Sequence, residues 1–382
     1  MIQIDFYDKD IVSTLLPINT MKPDKVIFLV DKRIITGKEL RQVGEAIMDM
    51  VPEIELEYRS CDVDDFQDIY REIVAAVEQA GDEIGCIDLT GGTELMTACG
   101  FRAAVEFNIT PIYVDVKREH VLNAINGNII KDAEHISLTD CLNATGAKRL
   151  KDSHDLPRED EYERILGMSE VLFKNVDAWQ KLYQYLANTV NGNPGQMTAK
   201  LTNGNFGRDT NAVKRICQAF CDFGFWTEEG ENLYRFTEKK YKHYMTTFGI
   251  WLELYIYIKA RETYGDAELG VVIDWYEGDN VDTQDNEIDV LIMRKSIPIF
   301  ISCKMRKPVS SDLYEVGYLA QRLGGDRSKA LLATTFPVKE MGTSPKRMYQ
   351  RMKKLRIGLI ETESFLEKPA ADVFNYAMQM TE

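Results

Sequence analysis

Histidine is scarce in this chain: four residues in 382, dispersed at positions 120, 135, 154 and 243. His120, His135, His154 and His243 form no metal-ligand spacing, and no Arg-x4-6-His pattern places one of them for ribonuclease chemistry. The seven cysteines are an odd count without a framework of spacings, as expected of reduced thiols in a cytoplasm. Cys217 and Cys221 lie four apart on a predicted helix, but no second Cys or His pair accompanies them, which argues against zinc. No apolar run reaches membrane-spanning length, and the opening MIQIDFYDKD lacks the basic start and apolar stretch of a signal peptide. A cytoplasmic protein with no membrane partner is expected. Neither GxGxxG nor a P-loop occurs.

What is present is an ordinary soluble composition, 45% hydrophobic and 28% charged, in a chain long enough for two or three domains. The net charge of −15 is unevenly spread. Between Leu291 and Ile360 there are fifteen Lys and Arg against four Asp and Glu, about +11, which leaves about −26 on the remainder. A solvated basic face is the plain explanation. A basic island in an acidic protein is also what a phosphate-binding surface needs, and the asymmetry favours a domain that grips polyanions.

The first 145 residues alternate short β-branched runs (2–6, 25–30, 54–59, 84–89 and 111–115) with amphipathic stretches (37–50, 66–80 and 94–107). That order predicts a mainly parallel sheet covered on both faces, closed by a hairpin over 121–130 around Asn126-Gly127. A polar stretch, 148–161, is the predicted linker. A helix over 171–190, a Gly/Asn-rich turn at 191–195, a helix over 211–223 and two short strands about Gly230 then resemble a winged-helix module. From residue 248 the pattern is helix (250–263), strands (271–275, 287–293 and 297–304), helix (312–323), strand (329–334), helix (345–355) and strand (357–360), a third α/β unit with its own core. The expected domains are therefore 1–147, 148–245 and 246–382.

Two segments carry chemistry. In CIDLTGGTELMTACG, Thr90-Gly91-Gly92-Thr93 sits between an apolar strand and a helix. Paired glycines let the backbone turn sharply and approach a ligand without Cβ interference. The N–H groups at the start of the helix then favour an anion, and Thr90 and Thr93 add hydroxyls. A tight turn with no ligand is the alternative, and the loop holds no Lys to meet a triphosphate. In DNEIDVLIMRKSIPIFISCKM, Asp289 opens one strand, 294–296 is a polar turn, and the next strand ends in Ser302-Cys303-Lys304. Alternation puts Ser302 and Lys304 on one face, and antiparallel pairing brings them beside Asp289 and Glu287. Phosphodiester hydrolysis needs a hard divalent cation held by oxygen ligands and gains from a cation that orients water or neutralises charge. An ordinary hairpin with a buried Asp and a surface Lys is the alternative.

The TGGTE turn in a Rossmann-like domain, joined to this distal hairpin, resembles the CARF sensors (CRISPR-associated Rossmann fold), in particular the ancillary nucleases of type III CRISPR antiviral systems that pair such a sensor with a restriction-endonuclease-like domain. The resemblance implies an α/β chain with a CARF domain, a winged-helix-like middle and a nuclease domain. It also implies a homodimer holding one cyclic oligoadenylate, the tetra-adenylate foremost, across a two-fold axis as allosteric activator. Thr90, Gly91, Gly92, Thr93 and Glu94 match the family's second ligand motif. Tyr7, Asp8 and Ser13, after the first strand, and Asp31 and Lys32, after the second, lie where such domains add contacts. The hairpin resembles the PD-(D/E)xK nuclease superfamily, with Asp289 as the metal-binding Asp (Mn²⁺ or Mg²⁺) and Lys304 as the motif's Lys. Glu253 matches an acidic residue many members place on the preceding helix. Ser302 stands where the motif has an acid. Its hydroxyl or the Cys303 carbonyl is a poorer metal ligand than a carboxylate, so either Glu287 supplies the missing charge or the domain is weak or inactive.

The reading that follows is a ligand-gated, metal-dependent nuclease acting on RNA or DNA, single-stranded by expectation. Arg306, Lys307, Arg322, Arg327, Lys346, Arg347, Arg351, Lys353 and Lys354 form the island expected to track its backbone. A rival reading is a ligand-responsive DNA-binding regulator with an inactive nuclease-like domain. A third is an ungated nuclease.

Overall fold

The structure is a computed structural model that describes residues 1–146, 148–149, 156–202, 204, 206–274, 286–337 and 345–381. The N-terminal part runs β1 (Ile2–Phe6), α1 (Ile11–Met21), β2 (Lys25–Asp31), α2 (Lys38–Met50), β3 (Glu55–Cys61), α3 (Phe66–Ala80), β4 (Ile84–Asp88), α4 (Glu94–Glu106) and β5 (Thr110–Asp115). The hairpin β6 (His120–Asn123) and β7 (Ile129–Asp132), then α5 (Leu138–Ala144) and the short β8 (Lys148–Arg149), complete it. Its seven-stranded sheet has the order β3-β2-β1-β4-β5-β6-β7. The first five strands pair in parallel and the hairpin antiparallel. The order reverses at β1, so the loops after β1 and β4 meet at a switch point, where open α/β sheets bind ligands.

The middle segment contains α6 (Tyr162–Phe173), α7 (Val176–Val190), β9 (Thr198–Lys200), α8 (Thr210–Asp222), β10 (Trp226–Gly230), β11 (Leu233–Phe236) and α9 (Lys239–Thr246). β11 pairs antiparallel with both β10 and β9, the helix-then-hairpin arrangement of a winged helix. The helix expected over 171–190 is two helices. The chain leaves α6 at Lys174, and Asn175, with φ −134° and ψ 38°, opens α7.

The last part runs α10 (Ile250–Tyr264), β12 (Ala267–Asp274), β13 (Asn286–Arg294), β14 (Ile297–Lys304), α11 (Ser310–Gly324), β15 (Lys329–Thr334), α12 (Pro345–Lys354), β16 (Ile357–Glu361), α13 (Ser364–Glu367) and α14 (Ala370–Gln379). The strand expected over 271–275 starts earlier, at Ala267, and position 275 lies outside the described residues. The sheet order is β16-β15-β14-β13-β12-β8, with β14, β15 and β16 parallel and the remaining pairs antiparallel. β13 and β14 are joined by Lys295-Ser296, both with positive φ, the backbone that matches the twist of a two-residue hairpin.

This C-terminal sheet does not keep a core to itself. One apolar cluster joins Val290, Ile292, Ile299 and Ile301 to Trp251 of α10 and to Trp179, Phe220 and Trp226 of the middle segment. Another joins Leu291, Phe300, Leu313 and Leu332 to Leu15, Val43, Leu138 and Leu142 of the N-terminal part. Polar contacts reinforce the second junction. Ile136 N donates to Ser296 Oγ at 3.1 Å, Lys295 pairs with Glu119 at 2.7 Å, and Arg327 reaches Asp10. All three lie where β14 and β15 begin, the end of the sheet away from Lys304. Among the described residues no helix is long and apolar enough to cross a membrane.

Candidate functional sites

The glycine turn is held from below by carboxylates. Thr90 donates to Asp88 Oδ1 through its N–H (3.2 Å) and hydroxyl (2.6 Å), and its Oγ1 accepts from Val114 N at 2.9 Å. Gly92, at φ +81°, donates its N–H to Asp8 Oδ2 at 2.9 Å. Thr93 caps α4, its Oγ1 accepting from Met96 N. Both glycines are needed by the chain itself. A Cβ on Gly91 would come 2.9 Å from the Phe6 carbonyl oxygen, and one on Gly92 would come 2.6 Å from Phe6 Cβ. A bulky residue at either position would therefore break the turn whatever binds there.

Of the other residues expected around the turn, Asp8 and Ser13 are brought to it. Asp10 N donates to Asp8 Oδ1 at 2.9 Å, and Ser13 Oγ donates to Asp10 Oδ2 at 2.9 Å. Tyr7 is buried in the core, its hydroxyl pushed up to about 12 by burial. Asp31 turns to Arg33 and Lys32 to Asp62, both local pairs at the end of β2. Glu94 lies in the first turn of α4.

Beneath the turn, Asp5 and Asp88 are fully buried on adjacent strands, and Asp5 Oδ1 and Asp88 Oδ2 have no hydrogen-bond partner among the described residues. Burial holds both carboxyls above the usual carboxylate range, and for Asp5 the charge of Asp88 adds to it. The folded state therefore binds these protons more tightly than the unfolded chain. That stability is fully present below about pH 4 and is lost as pH rises through the folded values. Asp5→Asn is expected to flatten the fall in melting temperature between pH 5 and 8 and to leave the variant more stable than wild type at pH 8. Parallel melting curves across that range would contradict this.

At the other end of the molecule Asp289 is a hub. Its Oδ2 accepts from Ser302 Oγ (3.3 Å), Cys303 N (2.6 Å) and Lys304 Nζ (3.4 Å). Glu287, Asp289, Ser302 and Lys304 line one small pocket, as the hairpin register predicts. Glu315 of α11 lines it too, a carboxylate that no motif marked. Glu253, in the first turn of α10, lies within electrostatic reach of Asp289, Glu287 and Lys304 without lining the pocket. Gly249 leaves it room, since a Cβ there would stand 2.9 Å from Glu253 Oε1.

Charge in this pocket is unbalanced towards acid. Burial, then the charges of Asp289 and Glu287, push the Glu253 carboxyl well up. Burial also raises Asp289, against the pull of Lys304 and the Cys303 N–H. Burial is the largest influence and opposes the charge on Lys304, but Asp289, Cys303, Asp312 and Glu315 together outweigh it, and the ammonium sits above the ordinary lysine range. Crowded carboxylates that raise one another's proton affinity have the donor chemistry of a hard divalent cation. Among the described residues, however, no three His, Cys, Asp or Glu side chains are gathered closely enough to hold a metal ion. Cys303 offers its main chain only: its thiol is buried and pushed far from thiolate by burial.

The basic island divides. Arg306 forms a two-pronged pair with Asp312 that braces the start of α11, and Arg322 reaches the Tyr318 hydroxyl. Lys307, Lys346, Arg347, Arg351, Lys353 and Lys354 are exposed. Arg327 is turned towards the N-terminal part, its Nε donating to Asp10 Oδ2 at 2.7 Å and to Ser13 Oγ at 3.0 Å. Its side chain is engaged at the start of α1.

No protein-family model matches the chain, and no curated protein matches it by sequence. Solved structures do match. VC1899 from Vibrio cholerae superposes with a TM-score of 0.80 at 16% identity, over 100% of this chain and 98% of the other. Can2 from Sulfobacillus thermosulfidooxidans, solved in complex with cyclic tetra-adenylate, gives 0.70 at 18% identity over 98% and 99%. A type III CRISPR defence DNA nuclease activated by cyclic oligoadenylate gives 0.54 at 13% identity, over 93% of this chain and 52% of that one. What the chain shares with these proteins, along essentially its whole length, is an α/β fold with a Rossmann-like N-terminal sheet.

Proposed function

We propose that the chain is a cyclic-oligoadenylate-gated, divalent-metal-dependent nuclease of type III CRISPR defence, working as a homodimer. The observation that carries this reading is the convergence of Glu287, Asp289, Glu315 and Lys304 on one pocket at the end of the C-terminal sheet. It occurs in a chain that follows, from end to end, the fold of a protein solved with cyclic tetra-adenylate. When bound, Mn²⁺ or Mg²⁺ would polarise the phosphate and lower the pKa of a water. Asp289 and Glu287 would hold it. Since no three such side chains among the described residues are gathered closely enough for a metal ion, Glu315 or Glu253 would have to move in to supply the charge that Ser302 does not. Lys304 would keep an incoming water oriented and neutralise charge developing on the phosphate.

The substrate path continues along α11. Tyr314 and Tyr318, one helical turn apart, are 55% and 56% exposed. Exposed rings beside cations suit stacked bases, which favours a single-stranded substrate. Reversing charge at Arg351, Lys353 and Lys354 together is expected to weaken binding of a labelled single strand at least tenfold at low salt and to flatten its salt dependence. Superimposable salt titrations would reduce these residues to a solvated face.

The second reading, a ligand-responsive regulator, draws on Ser302 and on the lysine already seated on Asp289. Purified protein with Mn²⁺ and cyclic tetra-adenylate, offered labelled single-stranded RNA, single-stranded DNA and plasmid, separates the two. Cleavage that EDTA stops is expected. Tight binding of nucleic acid without any cleavage would favour the regulator.

A further inference from the structure

The sequence places no cation in the TGGTE turn, and its nearest supports are acidic: Asp8, Asp10 and Asp88. An anionic ligand over such a group needs a positive partner, and the structure brings one from more than 230 positions along the chain. Arg327 closes the short turn between α11 and β15 and enters the site from the C-terminal part. Its guanidinium is only 29% exposed and the Asp10 carboxylate only 11%, so the pair is sheltered from solvent. Gly325 fixes that approach: at φ +64°, it has a position at which a Cβ would stand 3.1 Å from Asp10 Cα.

The geometry also ties Arg327 to the turn by an unbroken run of contacts. Gly92 N donates to one oxygen of Asp8 and Asp10 N to the other. Asp10 Oδ2 then accepts from Ser13 and from Arg327. A Cβ on Gly91 would stand 3.7 Å from the Ser13 carbonyl oxygen, so the residue whose Oγ meets Arg327 lies against the turn. The positive charge of Arg327 is also felt at Asp88, under Thr90.

We propose that Arg327 is the phosphate-binding cation of the glycine-turn site, supplied by the C-terminal part and exchanged from Asp10 to the ligand when the ligand binds. This rests on the reading of the turn as a cyclic-oligoadenylate site. A guanidinium is suited to both roles, since its planar fork matches carboxylate and phosphate alike. The exchange makes the C-terminal part a direct reader of the ligand. Arg327 stands just past the end of α11, and the same helix carries Glu315 into the candidate metal pocket. Pulling Arg327 off Asp10 therefore acts on the turn that follows the helix carrying Glu315. A ligand shifts such an equilibrium only through contacts that differ between the two states, and this contact differs.

The exchange predicts opposite signs for its two partners, which an ordinary bracing ion pair does not. Binding of cyclic tetra-adenylate to the full-length protein, measured by calorimetry, is expected to weaken about tenfold or more in Arg327→Gln and to be partly kept in Arg327→Lys. In Asp10→Asn, which removes the competitor and keeps the cap of α1, it is expected to tighten about threefold. Melting curves establish that each variant is folded. If Arg327→Gln does not fold, the contrast between Arg327→Lys and Asp10→Asn carries the same sign test. Loss of affinity in both partners' variants, or unchanged affinity in Arg327→Gln, overturns the exchange while leaving the site reading intact. Folded wild-type protein that binds no cyclic tetra-adenylate overturns both.

Discussion

Replacing Asp289 with Asn, or Lys304 with Met, is expected to lower metal-dependent cleavage by about a thousandfold or more while leaving the protein folded. The Asp289 side chain meets Ser302, Cys303 and Lys304 at once, so it ties three residues of the hairpin end together. A lysine held beside a carboxylate in a shielded pocket keeps its charge and cannot be replaced by bulk solvent. Glu253 supplies the contrast. Its carboxyl is destabilised by burial and by the charges of Asp289 and Glu287. In EDTA at pH 8, Glu253→Gln should therefore raise the melting temperature even as it lowers cleavage in Mn²⁺. A stabilising change that costs activity is what a functional cluster gives. A structural hairpin would lose stability and keep whatever activity it had. Near wild-type turnover in Asp289→Asn would end the assignment.

The second large effect concerns the missing acid. Glu315→Gln and Glu287→Gln are each expected to cost about a hundredfold in cleavage, and Ser302→Ala less than about threefold. The ranking follows from geometry. Ser302 is buried against Asp289 and donates its hydroxyl to it, so that hydroxyl serves the carboxylate. Glu287 and Glu315 are exposed and face the same pocket from the sheet and from α11. Measuring the Mn²⁺ concentration dependence of cleavage in the three variants separates metal binding from other losses. A larger defect in Ser302→Ala than in both Glu variants would place the second ligand on the hydroxyl.

Much of this was legible in the sequence, for reasons that differ from site to site. The TGGT turn could be read because two adjacent glycines between an apolar strand and a helix impose a backbone. The immediate cause proved internal, since the space they leave is taken by the Phe6 carbonyl and side chain. The hairpin end could be read because strand alternation fixes which residues meet. Helix α1 escaped notice because ten of its eleven residues are buried: it has no polar stripe to give a period, and Pro17 lies inside it. Glu315 escaped because an exposed acid on an amphipathic helix looks like solubility, and only the packing of α11 on β14 turns it to the pocket. The contact of Arg327 with Asp10 was hidden for a related reason. Counting charge along the chain gives the sign of a region but not the direction in which each side chain points. In the same way, the merged cores could not be seen from strands that are apolar on both faces.

The central claim is that an anion bound at the N-terminal turn sets the rate of chemistry at the C-terminal hairpin. Its most direct test is the single-turnover cleavage rate of a labelled single strand by wild-type protein in saturating Mn²⁺, with and without saturating cyclic tetra-adenylate. The expected result is acceleration of about tenfold or more, consistent with a coupling free energy of ~1–3 kcal/mol. Equal rates in the two conditions, from protein that calorimetry shows to have bound the ligand, would contradict it.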